Sequence, residues 1–361
     1  MKLLTPSCWL IATALTASHS KYHAATANEA PSVTGLRGLK NAKPTTKPKN
    51  KADKTFTAKS DCTIQVSAVL QIPSAEPLLE DEVFDCTMDP GDAGGYTGLT
   101  RKLAMADSQK KAFKQMWKEG KLIPGESKLK LAGEGVQFDG REIKIPPGLD
   151  VENRVDKRGN SSKDNLSNNN SKGGNSDDDN SKNTSKNDLF TRRRRLSATG
   201  DKHILVVKVT DSEGKAREES PSQIGDDIFG TNGDPVNLKS QLFDCSMGQL
   251  NFIPGIPSHS SSYADGAPGV IDITIDIPLN GTDSRYTIHD AVTQKVESYL
   301  NVSLPGPYEQ VMYVLEGCYG DDCGWAAYAY VNSWMSVYQG DYYMHTGVQV
   351  HELGHNFGLV S

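Results

Sequence analysis

Apolar positions along the chain form short runs and alternating stretches that are typical of β-strands. Strand-like runs occupy 62–73, 203–210 and 311–315, and 136–146 has the pattern of a hairpin. Between Val270 and Ile277, isoleucine alternates strictly with polar residues, which predicts a half-buried strand. The aromatic-rich stretch 325–338 has the composition of one longer strand.

Helical periodicity interrupts these strands in three places. The stretch 102–122 is a candidate helix, and 287–300 is amphipathic, with His289 on its polar side. The expected buried face of this second helix consists of Ile288, Val292, Val296, Tyr299 and Leu300. A third apolar stripe, near the C-terminus, consists of Val350, Leu353 and Phe357. Strands interleaved with helices predict an α+β fold, in which helices pack on a mixed β-sheet.

The first 20 residues have the pattern of a secretory signal peptide. Lys2 precedes a largely apolar stretch, 3–17, and small residues follow it. This stretch is short and interrupted by polar residues and proline, so we expect no stable membrane span. Asn280 and Asn301 lie in glycosylation sequons, which also favours export. We therefore expect a secreted protein of the extracellular space or cell wall.

A change of composition divides the rest of the chain. Residues 158–188 are almost entirely Asn, Ser, Lys, Asp and Gly, and we expect disorder because they cannot bury apolar area. Four consecutive arginines follow at 192–195. Inside a cell such a run indicates nuclear targeting or nucleic-acid binding, but after a signal peptide and a disordered linker it indicates a processing site. The predicted organisation is signal peptide 1–20, prosegment 21–157, linker 158–195 and globular domain 196–361.

The charge of the chain also changes at this boundary. Residues 196–361 hold 7 Lys and Arg against 21 Asp and Glu, whereas residues 1–195 hold 32 against 24. A basic N-terminal region beside an acidic domain suits an inhibitory prosegment that lies against its own enzyme, although a simply solvated acidic surface explains the same counts. The acidity argues against nucleic acid as a partner of the C-terminal region.

The sequence His351-Glu352-Leu353-Gly354-His355 has a spacing of residues that suits a catalytic metal site. On a helix, residues four apart lie one turn apart on the same face, so both imidazoles can reach one Zn²⁺ ion. Glu352 would then be the catalytic residue, taking a proton from the attacking water and passing it to the leaving amine. The competing interpretation is two surface histidines on a helix with an incidental glutamate between them.

The motif extends to Gly358 and Ser361, and the extended pattern resembles the metzincin signature HExxHxxGxxH. Together with the stretch 240–252 and the pair Cys318 and Cys323, it is similar to the gametolysin-type metzincins over 196–361. The resemblance implies a zinc endopeptidase that cleaves extracellular or cell-wall glycoproteins, with a metzincin-like mixed sheet and an active-site helix. In that family Gly358 would turn the chain, and a histidine is expected where Ser361 stands. We therefore expect the domain to be truncated or altered at this position.

The cysteines are expected to form disulfides, as is usual in a secreted chain. Cys62 and Cys86 could pair within the prosegment, and Cys318 and Cys323 could close a small loop. Cys245 would then be left alone in this sequence. As an alternative, one prosegment cysteine could cap the zinc as a thiolate and keep a precursor inactive.

Three further features have simpler explanations than a metal site. His345 could line a cleft, but an ordinary loop histidine explains it as well. Asp226, Asp227 and Asp234 do not have the spacing of a calcium-binding loop, so we predict a turn-rich connector. For the whole protein, the competing hypothesis is a catalytically inactive secreted binding or adhesion protein that retains a degenerate peptidase fold.

Overall fold

The computed structural model describes residues 61–72, 80–88, 99–131, 136–138, 142–147, 153–155, 199–255, 267–280, 284–317 and 324–359. Several predicted features lie outside these residues: the signal peptide, the linker with its four arginines, the pair Cys318 and Cys323, and Ser361. The expectations for these features stay predictions.

Thirteen strands of the described residues form one mixed β-sheet. The strands are β1 Asp61–Gln71, β2 Glu80–Met88, β3 Thr100–Ala104, β4 Ser127–Lys130, β5 Gln137–Phe138, β6 Glu142–Lys144, β7 Asn153–Val155, β8 Gly200–Thr210, β9 Leu250–Pro254, β10 Val270–Thr274, β11 Gln310–Leu315, β12 Trp325–Tyr330 and β13 Met335–Gln339. Their main order across the sheet is β10-β8-β11-β13-β12-β1-β2-β3-β6-β5.

The same part of the chain contains five α-helices. They are α1 Asp107–Lys118, α2 Pro221–Phe229, α3 Leu238–Cys245, α4 Arg285–Leu300 and α5 Thr346–Asn356, and a 3₁₀ turn occupies Gly340–Met344 before α5. The predicted combination of a mixed sheet with helices packed on it is therefore confirmed.

The C-terminal half of the sheet is a buried parallel core with helices on both faces. Strands β10, β8, β11 and β13 pair in parallel, and β12 adds an antiparallel strand. Along β8, Ile204 and Val206 pack with α2, α3 and α5, whereas Leu205 and Val207 pack with α4 on the other face. This distribution follows from the two-residue period of a strand. It explains why the run is apolar throughout, since both faces are covered.

The N-terminal half of the sheet continues directly from the C-terminal half. Strand β1 pairs antiparallel with β12 on one side and with β2 on the other. Phe84, Leu103 and Phe113 belong to a third apolar cluster, which packs between this half of the sheet and α1. A disulfide joins Cys62 of β1 to Cys86 of β2, as predicted.

Two predicted elements differ in the structure. The stretch 102–122 begins as β3, which pairs with β2, and becomes helical only from Asp107, where the Gln109 side chain accepts a hydrogen bond from the Ala106 amide. The stretch 325–338 forms two strands, β12 and β13, because the chain turns between them with Asn332 at a φ of 53°. In both places, pairing with a distant strand decides the local structure.

Two side chains of α4 also differ from the prediction. The four aliphatic residues of the expected face are buried, but Tyr299 is 50% exposed. His289 was expected on the polar side and is buried, at 4% exposed. Its ring lies among Tyr286, Tyr328 and Asp290, so polar partners rather than solvent satisfy it.

Candidate metal centre

Helix α5 carries both histidines of the HExxH motif on one side. Val350, Leu353 and Phe357 are all buried, as their spacing predicted, and they fix the helix against the sheet core. The buried side chain of Gln349 also anchors the helix, since its Nε2 donates to the carbonyl of Tyr343 in the 3₁₀ turn.

The two imidazoles face each other in the C-terminal half of the helix. The Nε2 atoms of His351 and His355 are 3.1 Å apart, and the rings are nearly perpendicular. Two nitrogens bound to one tetrahedral zinc at about 2.0–2.1 Å would be separated by about 3.3 Å. The observed distance is close to this value, so the histidine pair fits a zinc ion with only a small adjustment.

Gly358 ends the helix with a tight turn. Its amide donates to the carbonyl of His355 at 2.8 Å, and the amide of Leu359 donates to that of Gly354 at 2.9 Å. This pair of hydrogen bonds is the Schellman motif, which requires a left-handed residue directly after the helix. Gly358 has a φ of 83°, so the prediction that glycine allows a sharp turn here is confirmed.

The turn also fixes the chemical form of His355. It brings the carbonyl of Leu359 to 2.9 Å from His355 Nδ1. A carbonyl oxygen only accepts hydrogen bonds, so Nδ1 must carry the proton and Nε2 of a neutral ring keeps its lone pair. Hydrogen bonds of this kind commonly orient metal-binding histidines. The lone pair of His355 is therefore directed at the position between the two rings.

Glu352, the residue after His351 in α5, has its side chain fully buried. The tyrosine of β13 that lies near it, Tyr338, is also buried. Burial, and then the charge of Glu352, raises the pKa of the Tyr338 hydroxyl well above its ordinary value. Tyr338 therefore stays a neutral phenol next to the glutamate.

Two asparagines that the sequence analysis overlooked hold the end of α5. Asn356 donates from Nδ2 to the carbonyls of Tyr330 and Met335, both at 2.9 Å, and so bridges the ends of β12 and β13. The amide of Asn332, in the turn between these strands, donates to the carbonyl of His355 at 2.9 Å. The position of Asn356 directly after His355 was the only available signal, and Asn332 gave none.

The N-terminal region also contacts the turn that contains Asn332. Asn332 Nδ2 donates to the carbonyl of Pro124 at 3.2 Å. The next residue, Gly125, donates its amide to the carbonyl of Ile64 in β1. The Asn332 turn is therefore held between the end of α5 and residues far upstream in sequence.

The structure corrects two expectations about cysteine. The sulfurs of Cys62 and Cys86 are bonded to each other, so neither can cap a metal as a thiolate. Cys245 was expected to be alone, yet it is disulfide-bonded, and its partner lies outside the described residues. A pairing across the fold cannot be read from local spacing.

The remaining polar candidates, His345 and Asp226, do not extend the histidine pair to a larger metal-binding group. His345 precedes α5, and its carbonyl accepts from the amide of Gln349. The predicted turn-rich connector is only partly correct: Asp226 and Asp227 lie in helix α2, and the turns begin after it, where Asp226 accepts hydrogen bonds from the amides of Asn232 and Asp234. Among the described residues, no group of three or more His, Cys, Asp and Glu side chains is arranged to hold a metal ion.

A half-buried acidic cluster lies near the start of α5. Arg217 contacts Glu219, Glu316 and Asp341 at 2.8 to 3.2 Å. Burial, followed by the charges of the neighbouring acids, raises the pKa of Asp227 to about 6.

Comparison with known proteins leaves this geometry as the basis for assigning a function. No protein-family model, no curated protein and no solved structure matches the chain. Within the described residues, no helix is long and apolar enough to cross a membrane. The resemblance to metzincins therefore rests on the sequence motifs alone.

Proposed function

We propose that the protein is a secreted zinc-dependent endopeptidase that hydrolyses peptide bonds of extracellular or cell-wall glycoproteins. The observation that supports this most is the pair of Nε2 atoms, 3.1 Å apart, with His355 Nδ1 held by the carbonyl of Leu359. Two chance surface histidines would be exposed, whereas His351 and His355 are at most 4% exposed.

In this proposal the two histidines bind the zinc ion, and the end of the helix orients the ring of His355. His351 and His355 would hold Zn²⁺ through their Nε2 atoms, and Leu359 keeps the ring of His355 in the required tautomer. The bound ion would polarise the scissile carbonyl and make a nearby water more acidic. The metzincin pattern has a histidine at the position of Ser361, and a neutral serine hydroxyl is a poor zinc ligand, so we expect this chain to bind zinc weakly through the two histidines.

Glu352 is proposed as the general base and then the general acid. It would accept the proton of the attacking water as that water adds to the carbonyl carbon. It would then give this proton to the leaving amine when the carbon–nitrogen bond breaks. Its buried surroundings exclude bulk water, which would otherwise compete for the same proton.

The finer organisation is part of the same proposal. A signal peptide at 1–20 would direct export, and cutting at the end of the linker would break the chain between a prosegment at 21–157 and the peptidase domain 196–361. The Cys62–Cys86 disulfide supports an oxidising compartment, because such bonds are rare in reducing ones.

Zinc titration of the secreted protein tests the metal site. We expect zinc binding to be lost in His351→Ala and His355→Ala, to be unchanged in His203→Ala, and to become tighter in Ser361→His. His203 is a suitable control because it is half-exposed and contacts Glu309, away from the motif. Equal zinc binding by His351→Ala and the parent chain would contradict the site.

Peptide hydrolysis by the Ser361→His protein then tests the activity, with a denatured extracellular glycoprotein as substrate and a chelator as control. Cleavage that the chelator abolishes supports the proposal. Zinc binding without any cleavage would instead favour the inactive binding or adhesion protein.

A further inference from the structure

The strand that joins the two halves of the sheet, β1, is an interior strand. It pairs with β12 at five positions, from Ser67 opposite Tyr330 to Gln71 opposite Trp325. Further hydrogen bonds extend the pairing at each end, from the Val331 amide to the Val66 carbonyl and from the Ile72 amide to the Gly324 carbonyl. Because β2 pairs with its other edge, β1 has no free edge along most of its length.

The apolar clusters also cross the boundary between the regions. Leu70 of β1 packs into the cluster that contains the motif helix, and Val69 packs into the cluster under α4. In return, Val331 belongs to the N-terminal cluster around Phe84. All of these side chains are buried, so separating the regions would expose apolar surface on both.

A buried polar network connects the regions as well. Arg285 of α4 donates to Ser67 Oγ at 3.0 Å, and Tyr286 donates its hydroxyl to Asp85 at 2.6 Å. Ser67 also donates to Asp85 at 2.8 Å, and an Arg285 nitrogen is 3.9 Å from the Asp85 carboxylate. Asp85 is fully buried and Arg285 is 6% exposed. Each buried charge therefore has its partner in the other region.

A second ion pair and the helix-end contact lie on the same interface. Arg101 of β3 is 2.6 Å from Asp290 of α4, with both side chains mostly buried. Asn332 links Pro124 to the carbonyl of His355. The N-terminal region thus contacts α4, β12 and the turn that holds the end of α5.

From these contacts we infer that residues 61–155 remain non-covalently bound to residues 199–359 after the linker is cut, as a second chain of the mature protein. Their removal would break the buried contacts of Arg285 with Ser67 and Asp85, and losing one partner of a buried ion pair is strongly destabilising. It would also expose the edge of β12 and its unpaired backbone groups. This inference concerns the interface and holds whether or not the proposed peptidase activity is correct.

Cutting the full secreted chain tests this directly. The four arginines at 192–195 are replaced by the recognition sequence of a site-specific protease, and the purified protein is cut completely. Size-exclusion chromatography in native buffer is then compared with denaturing electrophoresis without reductant. We expect one native peak that contains both fragments and two bands on the gel. Separate native peaks would overturn the inference, and so would a single band, because retention would then be covalent.

A matched pair of variants tests whether the buried network holds the fragments. Asp85→Asn removes the carboxylate that faces Arg285, and we expect the fragment dissociation constant to rise by about tenfold or more. Glu82→Gln, on the same strand, removes only a partly exposed contact to Lys114 inside the N-terminal region, so less than about a twofold change is expected. Equal effects of the two would overturn the assigned interface.

Arg101→Gln provides the same comparison if Asp85→Asn fails to fold before cutting. It removes the pair with Asp290 and leaves the network around Asp85 intact. We expect a smaller rise, about threefold or more, in the fragment dissociation constant. No change in that constant would count against the interface.

Discussion

At the scale of single residues, a local hydrogen bond determines which nitrogen of His355 is available to bind a metal. The hydrogen bond between His355 Nδ1 and the carbonyl of Leu359 leaves Nε2 as the atom that faces His351. Glu352, which follows His351 in α5, has a fully buried side chain. Two predictions about individual side chains follow, one for Glu352 and one for Asp227, whose pKa is raised.

Replacing Glu352 by glutamine should stop catalysis without removing the metal. Glutamine is nearly the same size but cannot accept the proton of water, so we expect peptide hydrolysis by the Ser361→His protein to fall about a hundred- to ten-thousand-fold. Zinc content, measured after dialysis, should not change. Glu213→Gln, at a glutamate that contacts Lys215, is the matched control and should keep full activity. Unchanged cleavage by the Glu352→Gln protein would refute the proposed mechanism.

Replacing Asp227 by asparagine should alter how stability depends on pH. The raised pKa of about 6 means that the folded protein holds a proton which the unfolded chain releases near pH 3.8, so the stability contributed by this group decreases as pH rises through that interval. Asp227→Asn removes this pH-dependent loss of stability, because asparagine does not titrate. We expect it to stabilise the fold at pH 7.5, by about 1 kcal/mol after allowance for partial exposure, and to have little effect at pH 4.

Thermal unfolding at the two pH values measures the effect of Asp227→Asn. Asp276→Asn is the control, because the Asp276 side chain is 92% exposed. A stabilisation of equal size at pH 4 and pH 7.5 would show that Asp227 does not titrate as described.

At the scale of elements, helix α5 depends on the turn that follows it. The Schellman motif at Gly358 directs Leu359 back towards His355, so the end of the helix supplies the hydrogen bond that orients the histidine. Asn356 fixes the same end to β12 and β13. The site is therefore built by a helix together with its cap.

Replacing Gly358 by alanine should weaken both the fold and zinc binding. A left-handed conformation costs a residue with a side chain about 1–2 kcal/mol. Gly214→Ala is the matched control, because Gly214 has a φ of 81° and open space around it but lies far from the motif in sequence. Both variants should lose similar stability in denaturant unfolding.

Zinc titration separates the two glycine variants. Only Gly358→Ala should also weaken zinc binding, by about tenfold or more, since it disturbs the hydrogen bond that orients His355. An equal loss of affinity in Gly214→Ala would mean that general destabilisation, and not the turn, explains the effect.

At the scale of the whole molecule, the two regions on either side of the linker share one sheet. Strand β1 lies between β12 and β2, and buried charges of opposite sign face each other across the boundary. A cut in the linker would therefore produce a two-chain protein rather than a free domain.

Secreted material should be cut after Arg195. The motivation is the run of four arginines that follows a tract predicted to be disordered, where processing proteases find an accessible chain. N-terminal sequencing should find Leu196 as the first residue of the C-terminal fragment, and replacing the four arginines by glutamine should abolish this cut. Recovery of intact material that still carries the Asn/Ser tract would contradict the prediction.

The sequence by itself determined the features that depend on local geometry. The spacing of His351 and His355, the buried stripe of α5 and the left-handed Gly358 all follow from the repeat of a helix and the steric freedom of glycine. The alternation of isoleucines after Val270 likewise identified a strand, because successive side chains of a strand point to opposite faces.

Only the tertiary structure decided which distant residues meet. Arg285 and Ser67 are 218 positions apart, and no periodic pattern connects them. The inward position of His289, the helix-end contacts of Asn332 and the break between β12 and β13 likewise depend on neighbours far away in sequence. Local patterns are set by backbone geometry over a few residues, whereas these features follow from strand pairing and burial across the whole sheet.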